Sequence, residues 1–153
     1  MADSGMLCTI DSGAKAGIAL WWKRQLVYCR LVRAREVREW QLQCLQSSPI
    51  AKAIVEVPIV RTNEGTKVNP NNLITLGVSA GRLVPALCGT VETVIPNQWK
   101  GQLPDDILYR RIYAALTDEE KALIPDLAEG LLHNVLDAIG IGINALGRWP
   151  RPT

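Results

Sequence analysis

The sequence is short of most features that mark membrane, secreted or zinc-finger proteins. No apolar run is suited to span a bilayer, since Leu83–Leu87 and Val135–Ile143 are too short or too interrupted. Met1–Asp11 is mildly acidic and lacks the basic start and long apolar stretch of a secretion signal, so a cytoplasmic location is expected. Cys8, Cys29, Cys44 and Cys88 stand far apart, with no CxxC pair and no Cys/His ligand spacing. That argues against a structural zinc site and predicts reduced cysteines acting as small buried hydrophobes. No repeat, linker or low-complexity stretch interrupts the 153 residues, a length that suits one self-sufficient domain, 1–153.

Net charge is also small, at +2, but it is unevenly spread. Residues 1–104 carry twelve Lys/Arg against seven Asp/Glu, a net of +5, whereas residues 105–129 hold seven acids and three basic residues. A basic amino-terminal two-thirds can follow a phosphate backbone, although the asymmetry alone is a weak sign of nucleic acid.

What is present is a clear order of elements. Met6–Ile10, Gly17–Trp22 and Gln25–Val32 are short β-type runs whose spacing predicts an antiparallel meander. Arg35–Gln46 has helical periodicity, with Val37, Trp40, Cys44 and Leu45 on one face. Ala51–Val60 is apolar on both faces, as expected of a central strand parallel to its neighbour. A polar loop over Arg61–Asn71 precedes a small-residue helix at Leu73–Leu87, a strand at Thr90–Ile95 and a loop at Pro96–Gly101. Pro104 opens a helix to about Leu116, Thr117 caps the acids Asp118–Glu120, and a last helix covers about Gly130–Leu146. The result is a mixed α/β chain, β-β-β-α-β-α-β-α-(α)-α.

Three acids stand in unusual places. Glu56 interrupts an apolar strand, where an unpaired carboxylate costs several kcal/mol or stays protonated. It is either paired with an arginine or aimed at a cation from the end of the sheet. Asp11 closes the first strand ahead of Ser12-Gly13, which is also ordinary turn chemistry. Asp137 shares a helix face with His133, Gly140 and Asn144, opposite the stripe Leu131, Val135, Ile139, Gly142 and Leu146, and a solvated face explains that pattern too. Taken together the three are more informative. In such a sheet the first and fourth strands can be neighbours, so Asp11 and Glu56 would repel unless a divalent cation neutralised them. All-oxygen donors favour Mg²⁺ or Mn²⁺ over zinc. Two such ions about 4 Å apart can activate water and stabilise a leaving oxygen in phosphodiester hydrolysis.

The same residues resemble a known family. Thr9–Leu20 is similar to the opening Asp-x-Gly…Gly-x-Ala hairpin of RuvC-type Holliday-junction resolvases, Ala53–Glu56 to their central strand, and His133–Ile143 to their closing helix. The likeness covers nearly the whole chain in the same order. It implies an α/β, RNase H-like fold: a five-stranded mixed sheet, built of a three-strand antiparallel meander plus two parallel strands, flanked by helices. It also implies two Mg²⁺ ions, with Mn²⁺ able to substitute, and a homodimer that nicks opposite strands of a four-way DNA junction. Carried over by position, Asp11, Glu56 and Asp137 are metal ligands and catalytic residues. The family's fourth ligand falls on Asn134, with His133 one residue earlier; an imidazole is the better ligand or proton shuttle, which favours His133. Lys100 matches the family's basic loop near the scissile phosphate. Lys15, Arg61, Lys67 and Lys100 are the expected DNA contacts. The loop holding Arg61 and Lys67 lacks the family's aromatic wedge, and the helix at 73–87 corresponds to its dimer helix.

Rival readings remain open. A YqgF-type RNA-processing nuclease or a general flap or branched-DNA nuclease keeps the fold and changes the substrate. A catalytically dead DNA-binding module is a further rival, and the intact Asp11, Glu56 and Asp137 argue against it, because nothing would retain buried acids without a metal. An actin/hexokinase-type ATPase shares the Asp-x-Gly opening but needs two such domains.

Overall fold

The computed structural model describes residues 5–33, 36, 39–40, 43, 50–57 and 90–151. Five strands are formed: β1 (Met6–Asp11), β2 (Lys15–Trp22), β3 (Gln25–Arg33), β4 (Ile50–Glu56) and β5 (Thr90–Val94). Four described helices follow: α1 (Pro96–Trp99), α2 (Asp105–Ala115), α3 (Asp118–Lys121) and α4 (Glu129–Ala145). The strands make one sheet in the order β3-β2-β1-β4-β5. β1, β2 and β3 pair antiparallel, while β4 joins β1, and β5 joins β4, in parallel. This is the expected meander plus two parallel strands. The expected helix at 73–87 and the loop carrying Arg61 and Lys67 lie outside the described residues.

β1 is central because both of its faces are apolar. Cys8 and Ile10 point into one buried cluster with Ile18, Val55 and Trp40. Leu7 and Thr9 point to the opposite face, against α4. Of the expected Arg35–Gln46 helix, Glu39, Trp40 and Gln43 are described as helical, and Trp40 is fully buried. Two element boundaries differ from expectation. β4 ends at Glu56, so the acid is the last residue of its strand and not mid-strand. Pro96–Gly101 is not simply a loop, because Pro96 opens a helical turn through Trp99 closed by the Lys100 amide on the Pro96 carbonyl.

α4 lies unusually close to the sheet. A Cβ on Gly17 would collide with the backbone carbonyl of Asn134, and one on Gly142 with the ring of Trp21. The Trp21 indole donates to Thr9 Oγ1 (3.0 Å), and that hydroxyl donates to the Ala138 carbonyl (2.7 Å). This buried relay holds α4 against β1 and β2 at a fixed depth and rotation. All of Val135–Ile143 is consequently buried, including Asp137 and Gly140. The second, polar face expected of this helix is therefore not solvated along its middle, and only its ends, such as His133, reach solvent.

A second fastening lies away from the carboxylate end. Glu120, N3 of the Thr117 capping box, accepts both Arg148 guanidinium nitrogens at 2.7 and 2.8 Å, together with the amides of Leu26 and Thr117. Arg148 also donates to the carbonyls of Arg24 and Ala115. Burial opposes ionisation of Glu120, but the Arg148 hydrogen bonds, the Thr117 and Leu26 amides and the Arg148 charge outweigh it and hold the carboxyl below its usual value of 4.5. A depressed folded-state pKa contributes stability that is present above the unfolded value and lost as pH falls through the folded one.

Arg148→Met strands a buried carboxylate and is expected to cost about 3–5 kcal/mol in urea unfolding at neutral pH. In the parent chain the contribution of this pair declines as pH drops below 4.5. Gly17→Ala is expected to cost about 3 kcal/mol or more, beyond ordinary overpacking, because the added carbon meets backbone rather than a movable side chain.

Candidate active site

The carboxylate cluster follows from register. Asp11 and Glu56 are directly paired at the carboxyl ends of the parallel strands β1 and β4. The Ser12 hydroxyl donates to the Glu56 carbonyl at 2.6 Å, tying the two strand ends together. Thr9, two residues before Asp11 on the same face, is bonded to Ala138, the residue after Asp137. That one contact brings Asp137 to Asp11. Gly17, opposite Asp11 on β2, supplies the space in which α4 sits.

The electrostatics register the crowding. Burial, then the charges of Asp137 and Glu56, push the Asp11 carboxyl up to about 8, against the opposing charge of Lys100. Burial also raises Glu56 and Asp137 above the usual carboxylate range, although each has a partner. The Trp99 indole donates to Glu56 Oε2 at 2.5 Å. Lys100 Nζ sits 3.2 Å from Asp137 Oδ2 and 5.1 Å from the centre of the Trp99 ring. Burial opposes the Lys100 charge, but Asp137 and Glu56 outweigh it and keep the ammonium protonated. Asp137 Oδ1 is buried without a hydrogen-bond partner.

Asp11, Glu56, Asp137 and Lys100 therefore form one group. The remaining expected site residues do not join it in the same way. His133 is exposed, one helical turn before Asp137, and near enough for its charge to favour the ionised Asp137. Asn134 is half-buried, with its carbonyl against Gly17. Lys15 is exposed at the start of β2. In the arrangement seen, Glu56 is turned to Trp99 and Asp137 to Lys100, and among the described residues no three His, Cys, Asp or Glu side chains are grouped to enclose a metal ion.

Two neighbours of the group were not anticipated in these roles. Trp99 reads in the sequence as a packing residue, yet its ring rests on Gly140, where a Cβ would collide with it, and from there its N–H reaches Glu56. The signal was available: glycines at 140 and 142 inside an otherwise apolar helix mark the seats of two large rings. Tyr109 of α2 faces the Asp137 carboxylate, and burial together with Asp137, Asp105 and Asp11 holds its phenol above the usual range. Helical periodicity gives no hint of that partner.

Comparison with solved structures agrees with this architecture. Thermus thermophilus RuvC in complex with a Holliday-junction substrate superposes with a TM-score of 0.69 at 14% identity, covering 92% of each chain. The chain has the RuvC fold. A second Thermus thermophilus RuvC structure matches with a TM-score of 0.58 at 12% identity, over 94% of this chain and 98% of that one. No protein-family profile matches the sequence, and no curated protein matches it. The RuvC likeness is thus one of three-dimensional arrangement, legible in sequence only through a few spaced residues. Among the described residues no helix is long and apolar enough to cross a membrane.

Trp99→Phe keeps an aromatic ring but removes the N–H, together with the outer ring atoms that rest on Gly140. Because that hydrogen bond favours the ionised carboxylate, Glu56 is expected to titrate at higher pH in the variant, as read by side-chain carbon NMR. An unchanged titration would show that the indole does not control Glu56.

Proposed function

We propose that this chain is a divalent-cation-dependent endonuclease of the RuvC type that resolves four-way DNA junctions. One observation carries the reading. Asp11 and Glu56 are paired in register with Asp137 brought beside them, and burial and mutual charge push Asp11 to about 8. Acids forced together at the end of a buried sheet raise one another's pKa and lower stability unless a cation compensates.

The donor set fits such a cation. It is all oxygen, it includes the unpartnered Asp137 Oδ1, and it suits Mg²⁺ or Mn²⁺. Asp11, Glu56 and Asp137 would hold it, with His133 or Asn134 as the further candidate ligand. Two ions in such a site supply an activated water and stabilise the departing oxygen of a phosphodiester. The chain's own residues do the rest. Trp99 holds one oxygen of Glu56, which limits rotation of that carboxylate. Lys100, kept charged by its acidic neighbours, is placed to neutralise a phosphate that comes against Asp137. Junction resolution needs two copies acting on opposite strands, and the helix expected to join them, 73–87, lies outside the described residues.

The substrate reading follows the RuvC structure solved with a Holliday junction, and the fold alone would equally serve a branched-DNA or RNA-processing nuclease. Asp11→Asn and Glu56→Gln are expected to reduce Mg²⁺-dependent cleavage of a synthetic four-way junction to background. Junction binding should persist or tighten, since a negative charge near phosphate is removed. Wild-type nicking by either variant would overturn the assignment of the site. Equal cutting of junctions, flaps, duplexes and RNA:DNA hybrids would retain the nuclease and remove the resolvase.

A further inference from the structure

Lys15 and Arg33 are directly opposite each other in the β2–β3 ladder, and both are exposed. Like charges in a cross-strand pair disfavour the sheet they occupy. Among the described residues neither side chain is in an ion pair, and the nearest acid, Glu36, accepts the Arg33 backbone amide at 2.9 Å. The pair sits at a telling place. Strand alternation puts Lys15 on the face of Gly17 and Ala19, and Arg33 on the face of Leu31 and Cys29, which is the α4 face that also carries Asp11 and Glu56. β2 runs antiparallel to β1, so its first residue, Lys15, lies beyond Gly17 at the end of the sheet where Asp11 stands. From strand spacing of about 4.8 Å and rise of about 3.4 Å, the two cations lie roughly 8 and 12 Å from Asp11.

Asp105, in the first turn of α2, raises the pKa of Asp137, while the neighbouring Asp106 is paired with Arg110 at 3.1 Å. Among the described residues, a polyanion crossing the sheet end from β3 towards β4 passes Arg33, then Lys15, then the carboxylates and Lys100.

Resting on the nuclease reading above, we infer that Lys15 and Arg33 form a two-cation clamp for the DNA backbone, holding phosphates a few nucleotides to one side of the scissile one. The order β3-β2-β1-β4 then sets the direction in which the strand crosses the site. Phosphates relieve the cost of the like-charge pair, so the clamp is complete only with DNA present. Contacts of this kind fix register and orientation and carry no base specificity.

The test is binding of a fluorescent four-way junction by anisotropy, without divalent metal, over a range of salt. Each phosphate contact contributes about 0.9 to the slope of log K against log salt, so Lys15→Gln and Arg33→Gln should each lower it by about that amount and the double variant by about 1.8. Lys23→Asn serves as the control. It removes an exposed positive charge at the β2–β3 turn, at the other end of the sheet, where φ is +56° and Asn is tolerated. Its slope should equal that of the parent chain. A double variant with the parent slope overturns the clamp, as does one that melts at lower temperature with that slope kept, because both cations would then be structural. An equal loss in Lys23→Asn overturns the placement in favour of diffuse charge. Those outcomes leave the nuclease untouched, which is judged separately by Mg²⁺-dependent cleavage; a parent chain that does not bind DNA overturns both.

Discussion

The close seating of α4 on the middle of the sheet is the constraint from which the site derives. It requires absent side chains: Gly17 admits the Asn134 carbonyl, Gly142 admits Trp21 and Gly140 admits Trp99. It also requires one buried polar relay, Trp21 to Thr9 to the Ala138 carbonyl, to select a single depth and rotation. Apolar packing alone tolerates a helix sliding by part of a turn, but a hydrogen bond of 2.7 Å inside a dry interface does not, since a slip leaves two polar groups unsatisfied. With α4 fixed in this way, Asp137 has no choice but to face Asp11.

Concentrating acid in this manner works against stability, and the surrounding residues limit the damage without removing it. Lys100 answers Asp137 and Trp99 answers Glu56, while Asp11 retains a carboxyl pushed up to about 8. Contrast Glu120, buried as deeply as the others, which has a bidentate arginine and two backbone amides and falls below its usual value. Both are buried acids in one small chain. The difference between them is whether the fold supplies a fixed cation, and that difference separates a fastening from a candidate site.

Much of this was legible beforehand, and for identifiable reasons. Alternating and two-faced apolar patterns over β1–β4 reflect which faces are buried, so the mixed sheet could be read from residue types. The Thr117–Glu120 capping box is a local motif and appeared where expected. Glu56 stood out because a carboxylate after Ala53-Ile54-Val55 conflicts with its neighbours. Less was legible at Pro96–Gly101, where a single helical turn carries too few residues to show a period. The polar face drawn for the last helix failed at Asp137 and Gly140, both buried: the glycine marks the seat of Trp99 by its identity, but it contributes nothing to an amphipathic periodicity.

The sequence by itself determined the strands and the central place of the acid-bearing pair, and it singled out Asp11, Glu56 and Asp137 as candidates, because each is a local property of residue type and spacing. Only the tertiary structure decided that Trp99 and Lys100 divide Glu56 and Asp137 between them, that Tyr109 looks onto the site, and that Lys15 and Arg33 stand opposite each other at the same end of the sheet. Those relations join residues from separate elements, and they arise from strand register and helix depth, which packing and buried hydrogen bonds select over the whole chain.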